Sequence, residues 1–452
     1  MQRGTLMAKE KTTYVCQNCG QTYVKWVGRC SACGEWNSVV EEKLTISENI
    51  VKSFEKPTKL VDIEKEQLFR TSTGYKTLDM ALGGGIVKGQ VILLSGEPGI
   101  GKSTLLLKIA DFMSREHVVI YASGEESSSQ ISIRASRMDI NSSNLYILNS
   151  TNIEHIISCA KEYNAKALTI DSIQTMYTNA LESSPGSVAQ VRESTFKLVE
   201  FCKSSAIPCF IVGHINKEGA IAGPKVLEHI VDTVCQFEGE RFNLYRVLMI
   251  LKNRYGATGE MAVFKMEDRG LTEVLEPSLF FLSERKENAI GSVIFPHTEG
   301  TKPILVEIQA LVLKALYTTP QRKTQGFDVN RLAIILGVLE KEARIFTRDS
   351  DVYVNVVSGI EIQEPACDLA IAIAIASSKK EKPISKDTAI FGELGLGGEI
   401  RAVHHVEARL KELERFGIKK VVLPKSSIKD LPKTDLELFG VSHIMEAIDI
   451  AI

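Results

Sequence analysis

Two short patterns in this sequence place reactive residue types at spacings that chemistry requires. The first is a cysteine cluster, in which Cys16 with Cys19 and Cys30 with Cys33 form two C-x-x-C pairs separated by ten residues. Each pair can present two thiolates to one tetrahedral ion, and four sulfur ligands suit Zn²⁺. Zinc binding therefore explains two adjacent pairs better than a redox function does. The spacing predicts a zinc module. The ligands do not say whether the module contacts nucleic acid, contacts protein or only stabilises a small domain.

The second pattern is a phosphate-binding loop of the form G-x-x-x-x-G-K-S. It follows the apolar run Val91–Ser95 and leads into a helical segment, which is the context that the motif requires. In such a loop backbone amides surround the phosphates, Lys102 offsets charge on the β and γ groups, and Ser103 holds Mg²⁺. ATP is therefore the predicted ligand. The residues predicted to bind it are Gly96, Glu97, Pro98, Gly99, Ile100, Gly101, Lys102, Ser103 and Thr104.

Carboxylates are expected beside this loop. The apolar run Ala167–Asp171 ends in an aspartate, as in a neighbouring strand that holds the magnesium shell. Hydrolysis also needs a group that orients the attacking water, and Glu125 and Glu126 follow directly on the run Val118–Ala122. One of these glutamates is our general-base candidate. Alternatively, both complement the dipole of a helix over Ser128–Arg137, and the sequence does not say which glutamate acts.

Alternating apolar and amphipathic segments must position these residues. Between Thr71 and about Glu276 the alternation is typical of strands with crossover helices, which predicts a largely parallel α/β sheet. The further apolar runs there are Leu145–Leu148, Pro208–Gly213, Val231–Phe237, Tyr245–Leu251 and Met261–Lys265. From about Asn288 a second α/β pattern has apolar runs at Ile304–Val312, Val352–Val357 and Lys420–Leu423, with helices over Asn330–Glu342, Asp368–Ser377 and Val403–Phe416.

Length and composition limit the function classes. At roughly 150 residues per domain, a chain of 452 residues is expected to form about three domains. A net charge of −2 gives no overall basic excess, so any polyanion site must be local. The apolar runs are far shorter than the roughly 20 residues that span a bilayer. The N-terminus resembles no signal peptide, so we expect a cytoplasmic protein without a membrane partner.

Several segments together resemble the ATPase core of RecA-type proteins. They are Thr73-Gly74, Leu78-Asp79, Leu82–Ile86, the phosphate loop and Ser123–Ser127. Residues 252–256 read KNRYG and are similar to the KNRFG signature of the bacterial RadA (Sms) family, with tyrosine in place of phenylalanine. The resemblance covers nearly the whole chain. It implies a four-cysteine zinc finger over residues 10–40, a linker over 41–70, a RecA-like P-loop ATPase core over 71–280 and a Lon-protease-like α/β domain over 285–452.

The family resemblance implies a DNA-dependent ATPase that processes recombination intermediates in homologous recombination and DNA repair. Such proteins act by branch migration or by helicase-like translocation on single-stranded DNA, and they form hexameric rings with ATP between subunits. We therefore expect ATP, Mg²⁺ and Zn²⁺ as cofactors, and single-stranded DNA, branched recombination intermediates, RecA and further copies of this chain as partners. The alternatives are an ATP-dependent protease and a nucleotide-switched scaffold of the clock-protein type.

The resemblance also implies roles for residues outside the phosphate loop. Lys252 and Arg254 would reach the γ-phosphate bound to a neighbouring subunit, as an arginine finger supplied in trans. His214 would sense the γ-phosphate, and the segment after it resembles the loop that lines the DNA channel. The candidate DNA contacts are Lys217 and Lys225, and a second candidate loop is Ile173–Arg192.

Residues 359–431 are similar to the proteolytic domain of Lon, which uses a serine nucleophile and a lysine base. Matching motif to motif puts Ala366 at the serine position and Glu407 at the lysine position. Alanine has no nucleophile and glutamate inverts the charge, so the Ser/Lys mechanism cannot operate. We therefore expect a non-proteolytic domain that serves oligomerisation, with Cys367 as a buried structural thiol.

Overall fold

The computed structural model of this chain contains two compact units, Met1–Glu273 and Val274–Ile452. None of the helices in the described part of the chain has the length and apolar composition needed to cross a membrane. The domain boundaries inferred from the sequence remain predictions. The residues that the structure describes are 11–16, 21–32, 34–44, 69–214, 225–239, 245–282, 285–287, 289–299, 302–315, 319–357, 361–429 and 431–452.

The N-terminal segment folds as a small antiparallel ribbon. Its strands are β1 (Lys11–Cys16), β2 (Thr22–Tyr23) and β3 (Val39–Leu44), in the order β2-β1-β3. Cys16, Cys30 and Val39 are buried at its centre, with Tyr14 and Tyr23 packed against them. Apolar burial in so small a core is too little to stabilise a separate domain, which is the usual reason for a structural metal.

A mixed sheet forms the centre of the first unit. Its strands are β6 (Val91–Gly96), β7 (Val119–Ser123), β8 (Leu145–Asn149), β9 (Ala167–Asp171), β10 (Cys209–His214), β11 (Thr233–Glu238), β12 (Tyr245–Asn253), β13 (Met261–Glu267) and β14 (Gly270–Glu273), after the small pair β4 (Arg70–Thr71) and β5 (Ile86–Val87). The strand order is β14-β13-β12-β11-β6-β10-β9-β7-β8. Neighbours from β11 to β8 run parallel, whereas β12, β13 and β14 form an antiparallel edge.

Helices cover both faces of this sheet, as buried parallel strands require. They are α1 (Lys76–Ala81), α2 (Lys102–Ser114), α3 (Ser128–Arg137), α4 (Ile153–Glu162), α5 (Val188–Ser205) and α6 (Lys225–Ile230), with a short 3₁₀ turn at Ile173–Thr175. Strand alternation divides the core: Tyr121 of β7 packs on the α2 side, and its neighbours Ile120 and Ala122 pack on the α4 side. The helix that the sequence predicts over Ser128–Arg137 begins at a capping box formed by Ser127 and Gln130.

The second unit is also an α/β structure. Its strands are β15 (Ser292–Glu299), β16 (Lys302–Lys314), β17 (Arg322–Gln325), β18 (Ser350–Val356), β19 (Thr388–Ile390), β20 (Glu393–Leu394), β21 (Ile400–Arg401), β22 (Lys420–Pro424) and β23 (Glu437–Val441). Its helices are α7 (Pro277–Leu282), α8 (Val329–Ala343), α9 (Asp368–Lys380), α10 (Val406–Arg415) and α11 (Ile444–Ala451). The main sheet has the order β17-β18-β16-β15-β19-β22-β23, and α9 is buried from Asp368 to Ser377 against it.

The fold class predicted from the sequence is confirmed, but both sheets are less regular than expected. The sheet of the first unit is mixed, because β11 returns through β12 as a hairpin instead of a crossover. In the second unit β15 carries Pro296 inside the strand, a residue that argues against a strand assignment. Edge strand β17 consists of polar residues 322–325 and is held by backbone pairing with β18, so it lacks the alternation that sequence analysis detects.

Candidate functional site

The phosphate loop lies at the carboxyl end of β6, where the chain turns into α2. Gly99 and Gly101 have φ values of +82° and +115°, a region that favours glycine. A Cβ at Gly101 would lie 2.8 Å from Met266 Cε, whereas a Cβ at Gly99 would meet no atom within 4 Å. The loop is therefore packed on its protein side and open beside Gly99. This shape fits a phosphate group that approaches the backbone amides closely.

Lys102 lies over this loop and is almost completely buried. Its Nζ donates hydrogen bonds to the carbonyl oxygens of Gly96 at 2.8 Å and Glu97 at 2.9 Å. Burial lowers the pKa of Lys102 to about 8, although the carboxylates of Asp171, Glu125 and Glu97 oppose that shift. These electrostatic couplings show that the predicted lysine and three carboxylates share one edge of the sheet.

Asp171 ends β9 at this edge and is buried. Its Oδ2 accepts a hydrogen bond of 2.5 Å from the Tyr121 hydroxyl. Its Oδ1 is buried and has no hydrogen-bond partner among the residues that the structure describes. Ser103 lies in the first turn of α2 and is half-buried. A carboxylate oxygen and a hydroxyl are hard ligands of the kind that Mg²⁺ prefers, directly or through water, so this residue set fits the predicted ion.

Glu125 faces the phosphate loop. Its Oε1 accepts hydrogen bonds from the Ser172 hydroxyl and from His214 Nε2, the latter at 2.9 Å. The hydrogen bond from His214 is the main reason that the pKa of Glu125 lies below its ordinary value; burial opposes the shift, while Ser172 and Lys102 add to it. A carboxylate that is ionised at neutral pH can accept a proton from water or orient it.

Glu126, the next residue, is engaged elsewhere. It forms an ion pair with Arg134 of α3, and its backbone amide donates a hydrogen bond to Ser123 Oγ at 3.0 Å. The charge of Glu125 raises the pKa of Lys102, whereas Glu126 is not among the groups that shift this pKa. The two glutamates that the sequence could not distinguish are thus separated by the structure. Their catalytic roles remain predictions.

Lys252 and Arg254 lie toward the amino ends of the parallel strands, whereas the phosphate loop lies at their carboxyl ends. Lys252 Nζ donates hydrogen bonds to the carbonyl oxygens of Glu228 and Val231, the latter at 2.8 Å. Arg254 NH1 lies 3.4 Å from Asp232 Oδ1, and its side chain is 52% exposed. Burial, and then the charge of Arg254, lowers the pKa of Lys252. Both cations therefore adjoin the turn that precedes β11.

The strand register measures how far this pair lies from the phosphate loop of its own subunit. Val234 of β11 pairs with Lys252 on one side and with Leu93 of β6 on the other. His214 of β10, by contrast, pairs with Gly96 at the start of the loop. Since a strand advances about 3.3 Å per residue, the backbone of Lys252 lies roughly 10 Å before the loop along β6.

Of the two loops predicted to contact DNA, the structure describes residues 173–192 fully and the segment after His214 only in part. Lys217 lies outside the described residues, and Lys225 begins α6 but its side chain is not described. The stretch 173–192 is ordered around the buried amide of Gln190, whose Nε2 donates to Ser183 O at 2.9 Å and Leu181 O at 3.1 Å. Arg192 is the one basic residue in that stretch of sequence.

The ribbon presents its described cysteines in matching settings. The Cys16 amide donates to Gln21 O and the Cys30 amide donates to Glu35 O, both at 2.9 Å, so the first cysteine of each C-x-x-C pair bonds to the carbonyl five residues later. Cys19 and Cys33 lie outside the described residues, and within the described ranges no group of three or more His, Cys, Asp or Glu side chains could hold a metal. Two buried thiols in repeated turns fit a tetrahedral zinc site, but the full ligand set stays a prediction.

Four protein families match parts of this chain. A DnaB-like helicase C-terminal domain matches residues 71–201, and the KaiC ATPase family matches residues 148–278. A rubredoxin metal-binding domain matches residues 14–41, and subunit ChlI of Mg-chelatase matches residues 332–427. These matches confirm a RecA-like ATPase core, an N-terminal zinc ribbon and a C-terminal domain of the ChlI/Lon-like type.

Full-length relatives decide the family. The chain is 59% identical to DNA repair protein RadA of Aquifex aeolicus over 98% of its own length and 100% of that protein. It is 44% identical to DNA repair protein RadA of Bacillus subtilis over 98% of its length and 99% of the relative. The RadA of Pseudomonas aeruginosa is 42% identical with the same coverage. The chain belongs to the RadA family. For this RadA family member the ATPase matches imply ATP with Mg²⁺, and the ribbon match implies Zn²⁺.

In the C-terminal domain of this RadA family member, ion pairs adjoin the positions that the sequence matches to the serine and lysine of a Lon-type protease. Glu407, which the sequence matches to the lysine position, is exposed and pairs with Lys411. That match remains a prediction. Arg409, two residues later on α10, is 2% exposed and binds Glu364, which precedes the segment around Ala366. Arginine stays protonated and cannot act as a general base, so neither Glu407 nor Arg409 supplies the chemistry of the Lon lysine.

Sequence reasoning missed three residues of this RadA family member that lie beside the phosphate loop and its carboxylates. They are Tyr121, Ser172 and Arg134, which bind Asp171, Glu125 and Glu126 respectively. A signal for two of them was present. Tyr121 lies two residues before the end of its strand and so shares a face with Ser123, and Ser172 directly follows the predicted aspartate.

Proposed function

We propose that this protein is a DNA-dependent ATPase that translocates on single-stranded DNA and promotes branch migration of recombination intermediates beside RecA. The observation that carries the proposal is the separation of the catalytic groups between two edges of one sheet. The water-orienting candidate Glu125 lies with Lys102 at the phosphate edge, whereas Lys252 and Arg254 lie at the other. A site divided in this way is complete only when two subunits meet.

The division supports a ring of identical subunits with ATP at each interface. Lys252 and Arg254 are held near the amino end of β6, where Asp232 Oδ2 accepts a hydrogen bond from the Val91 amide at 3.0 Å. From there they cannot serve their own phosphate loop, yet half of the Arg254 side chain is exposed. A heterologous interface repeated around a closed ring would bring them to a neighbour's loop. The hexameric state is part of this proposal.

The residues at the phosphate edge have defined tasks in this proposal. Bound MgATP would supply the γ-phosphoryl group for transfer to water, with Mg²⁺ offsetting its charge. Lys102 exchanges its hydrogen bonds with Gly96 and Glu97 for phosphate oxygens. Glu125 orients the attacking water, and His214 links Glu125 to the segment that follows β10. We propose Lys217 and Lys225 of that region as contacts to the DNA backbone.

The test is an ATPase and branch-migration assay with and without single-stranded DNA and RecA filaments. We expect single-stranded DNA to stimulate hydrolysis, and we expect branch migration to require hydrolysis. Lys102→Ala is the inactive control. The amount of branch-migration product that it forms should equal that of a reaction without protein. A hydrolysis rate that is indifferent to single-stranded DNA would overturn the proposal in favour of a nucleotide-switched scaffold.

Proteolysis is the other activity that the C-terminal domain has to be tested for. Ala366 offers no nucleophile, and Cys367 beside it is completely buried, with a pKa raised well above that of an ordinary thiol by that burial. We propose that the domain is non-proteolytic and serves oligomerisation. Casein incubated with protein and MgATP should remain intact; cleavage that survives Cys367→Ala but requires Lys102 would contradict this.

A further inference from the structure

Tyr121 is a fully buried tyrosine whose hydroxyl ends at the predicted magnesium carboxylate. It lies in β7, beside β9, and its backbone pairs with Thr169 while Ser123 pairs with Asp171. Only a long side chain can reach from this position to the strand end, and the Tyr121 hydroxyl lies 2.5 Å from Asp171 Oδ2. A phenol is protonated at neutral pH, so the hydroxyl donates this hydrogen bond and the carboxylate accepts it.

The contact leaves the two oxygens of Asp171 unequal. Oδ2 is occupied by Tyr121, whereas Oδ1 is buried without a hydrogen-bond partner among the described residues. A carboxylate held by one oxygen cannot rotate freely about its terminal bond, so the direction of the other oxygen is fixed. Groups that orient a metal-binding carboxylate in this way commonly decide how tightly the ion is held.

Burial explains why the Tyr121 hydroxyl needs a hydrogen-bond acceptor, but it does not explain why that acceptor is a carboxylate. A buried tyrosine needs one acceptor, and a backbone carbonyl is sufficient, as the Tyr75 hydroxyl shows by donating to Leu271 O at 3.0 Å. Tyr121 instead binds the carboxylate that stands at the end of the neighbouring strand and acts electrostatically on Lys102. Tyr121 lies in this core and the partly buried Tyr75 packs against it, so the two tyrosines offer a comparison.

We propose that Tyr121 is a positioning residue that aims Asp171 Oδ1 at the magnesium shell of the bound nucleotide. The inference rests on the proposed ATPase and assigns a residue to its metal site. Tyr121 itself touches neither nucleotide nor ion, and it acts through Asp171. Removing its hydroxyl should weaken the contribution of Mg²⁺ to nucleotide binding and leave the contribution of the phosphate loop intact.

The test compares wild type, Tyr121→Phe and Tyr75→Phe. Binding of a fluorescent, non-hydrolysable ATP analogue is titrated first in EDTA and then with increasing Mg²⁺. For Tyr121→Phe we expect unchanged affinity in EDTA and a Mg²⁺ midpoint raised on the order of tenfold, as for other outer-shell substitutions. Tyr75→Phe, which removes a hydroxyl bound to a carbonyl, should keep the wild-type midpoint. ATP turnover should follow the same shift in Mg²⁺ dependence.

The outcomes separate the inference from the proposed function. A Tyr121→Phe midpoint equal to that of wild type would overturn the positioning role, even if wild-type ATPase activity is normal. Wild-type protein that binds the analogue but fails to hydrolyse ATP with DNA present would contradict the proposed function and leave the metal-binding comparison interpretable. Thermal unfolding of the three proteins without nucleotide checks folding; a Tyr121→Phe variant that has lost its fold while Tyr75→Phe has not would assign a structural role instead.

Discussion

Adjacent residues of the same type can have different tasks, and Glu125 and Glu126 are an example. Glu125 accepts hydrogen bonds from His214 and Ser172, which leave it ionised beside the phosphate loop. Glu126 forms an ion pair with Arg134 in the last turn of α3. Both glutamates lie in the bend between β7 and α3, where one side chain faces the phosphate loop and the other faces the helix.

Replacing each glutamate by glutamine should therefore give unequal effects. Glu125→Gln should lower the ATP turnover rate by about 10²–10⁴-fold, the range expected for a lost general base. It should leave nucleotide affinity close to wild type, because the phosphate loop is unchanged. Glu126→Gln is the matched control and should retain most of the turnover. Steady-state hydrolysis together with analogue binding checks both; equal losses in the two variants would contradict our assignment.

The pKa of Lys102 predicts how nucleotide binding depends on pH. Burial lowers this pKa to about 8, so the ammonium loses its proton, and its attraction for phosphate, as the pH rises through 8. Affinity for a MgATP analogue should therefore fall by roughly tenfold between pH 7 and pH 9, since one pKa unit corresponds to a tenfold change in protonation. Lys102→Arg stays charged over this range and should bind with a flat profile, whatever its absolute affinity. Parallel profiles for both proteins would refute the assignment.

At the scale of elements, the ribbon and the C-terminal sheet are stabilised differently. The ribbon has three short strands around a small core, so little apolar area stabilises it, and the predicted zinc site would supply the remainder. The C-terminal sheet buries α9 and can include charged residues because they are paired. Arg409 illustrates this: its guanidinium lies 5.7 Å from the ring centroids of Phe295 and Phe391 and binds Glu364.

The ribbon should contain about one zinc ion per chain when purified without chelator. Cys16→Ser removes one buried thiolate and should lower the zinc content measured by elemental analysis, with loss of the ribbon's protection from proteolysis. Cys159→Ser, outside the ribbon on α4, is the control and should keep the metal. A wild-type content well below one ion per chain would refute the zinc site.

Arg409 should be a strong determinant of the second unit's stability. Burial alone would raise the pKa of Glu364, yet hydrogen bonds from His297 and Arg409 lower it, so this carboxylate is ionised and depends on its partners. Arg409→Met leaves that buried charge less well paired and should cost about 3–5 kcal/mol. Hydrogen exchange of the α9 amides measures the loss. The exposed Arg401, changed to Met, should have no measurable effect; similar losses in both would contradict the argument.

At the scale of the whole molecule, the direction of the strands decides which groups can meet in one subunit. Parallel strands β6, β9 and β10 bring Gly96, Asp171 and His214 to one edge. Antiparallel β12 carries Lys252 toward the other edge. The same rule that assembles the phosphate site therefore excludes the KNRYG segment from it, which is why a second copy is part of the proposed function.

Mixing inactive variants tests this division. Lys102→Ala and Lys252→Ala should each be inactive alone, but random mixing should restore activity at about one interface in four, because a heterologous interface joins different faces of two subunits. Mixing Lys102→Ala with Glu125→Gln is the control and should restore nothing, since both residues lie at the same edge of one subunit. No recovery in the first mixture would show that Lys252 does not act in trans. Arg254→Ala should behave as Lys252→Ala does.

The sequence by itself determined the local motifs. The phosphate loop, Asp171, the C-x-x-C pairs and most strands could be predicted, because each depends on residue types at short spacing and on strand or helix periodicity. The family followed from the same segments. Strand β15 could not be predicted because Pro296 lies inside it, and β17 could not be predicted because pairing with the remote strand β18 forms it from polar residues.

Tertiary structure decided which residues meet. It separated Glu125 from Glu126, placed the Tyr121 hydroxyl on Asp171 and brought Arg409 to Glu364. Each of these results depends on the direction of a side chain relative to a strand or helix that is remote in sequence. Periodicity gives the face on which a residue lies, but only the packed sheet gives the neighbour across that face. Contacts between remote elements therefore had to come from the structure.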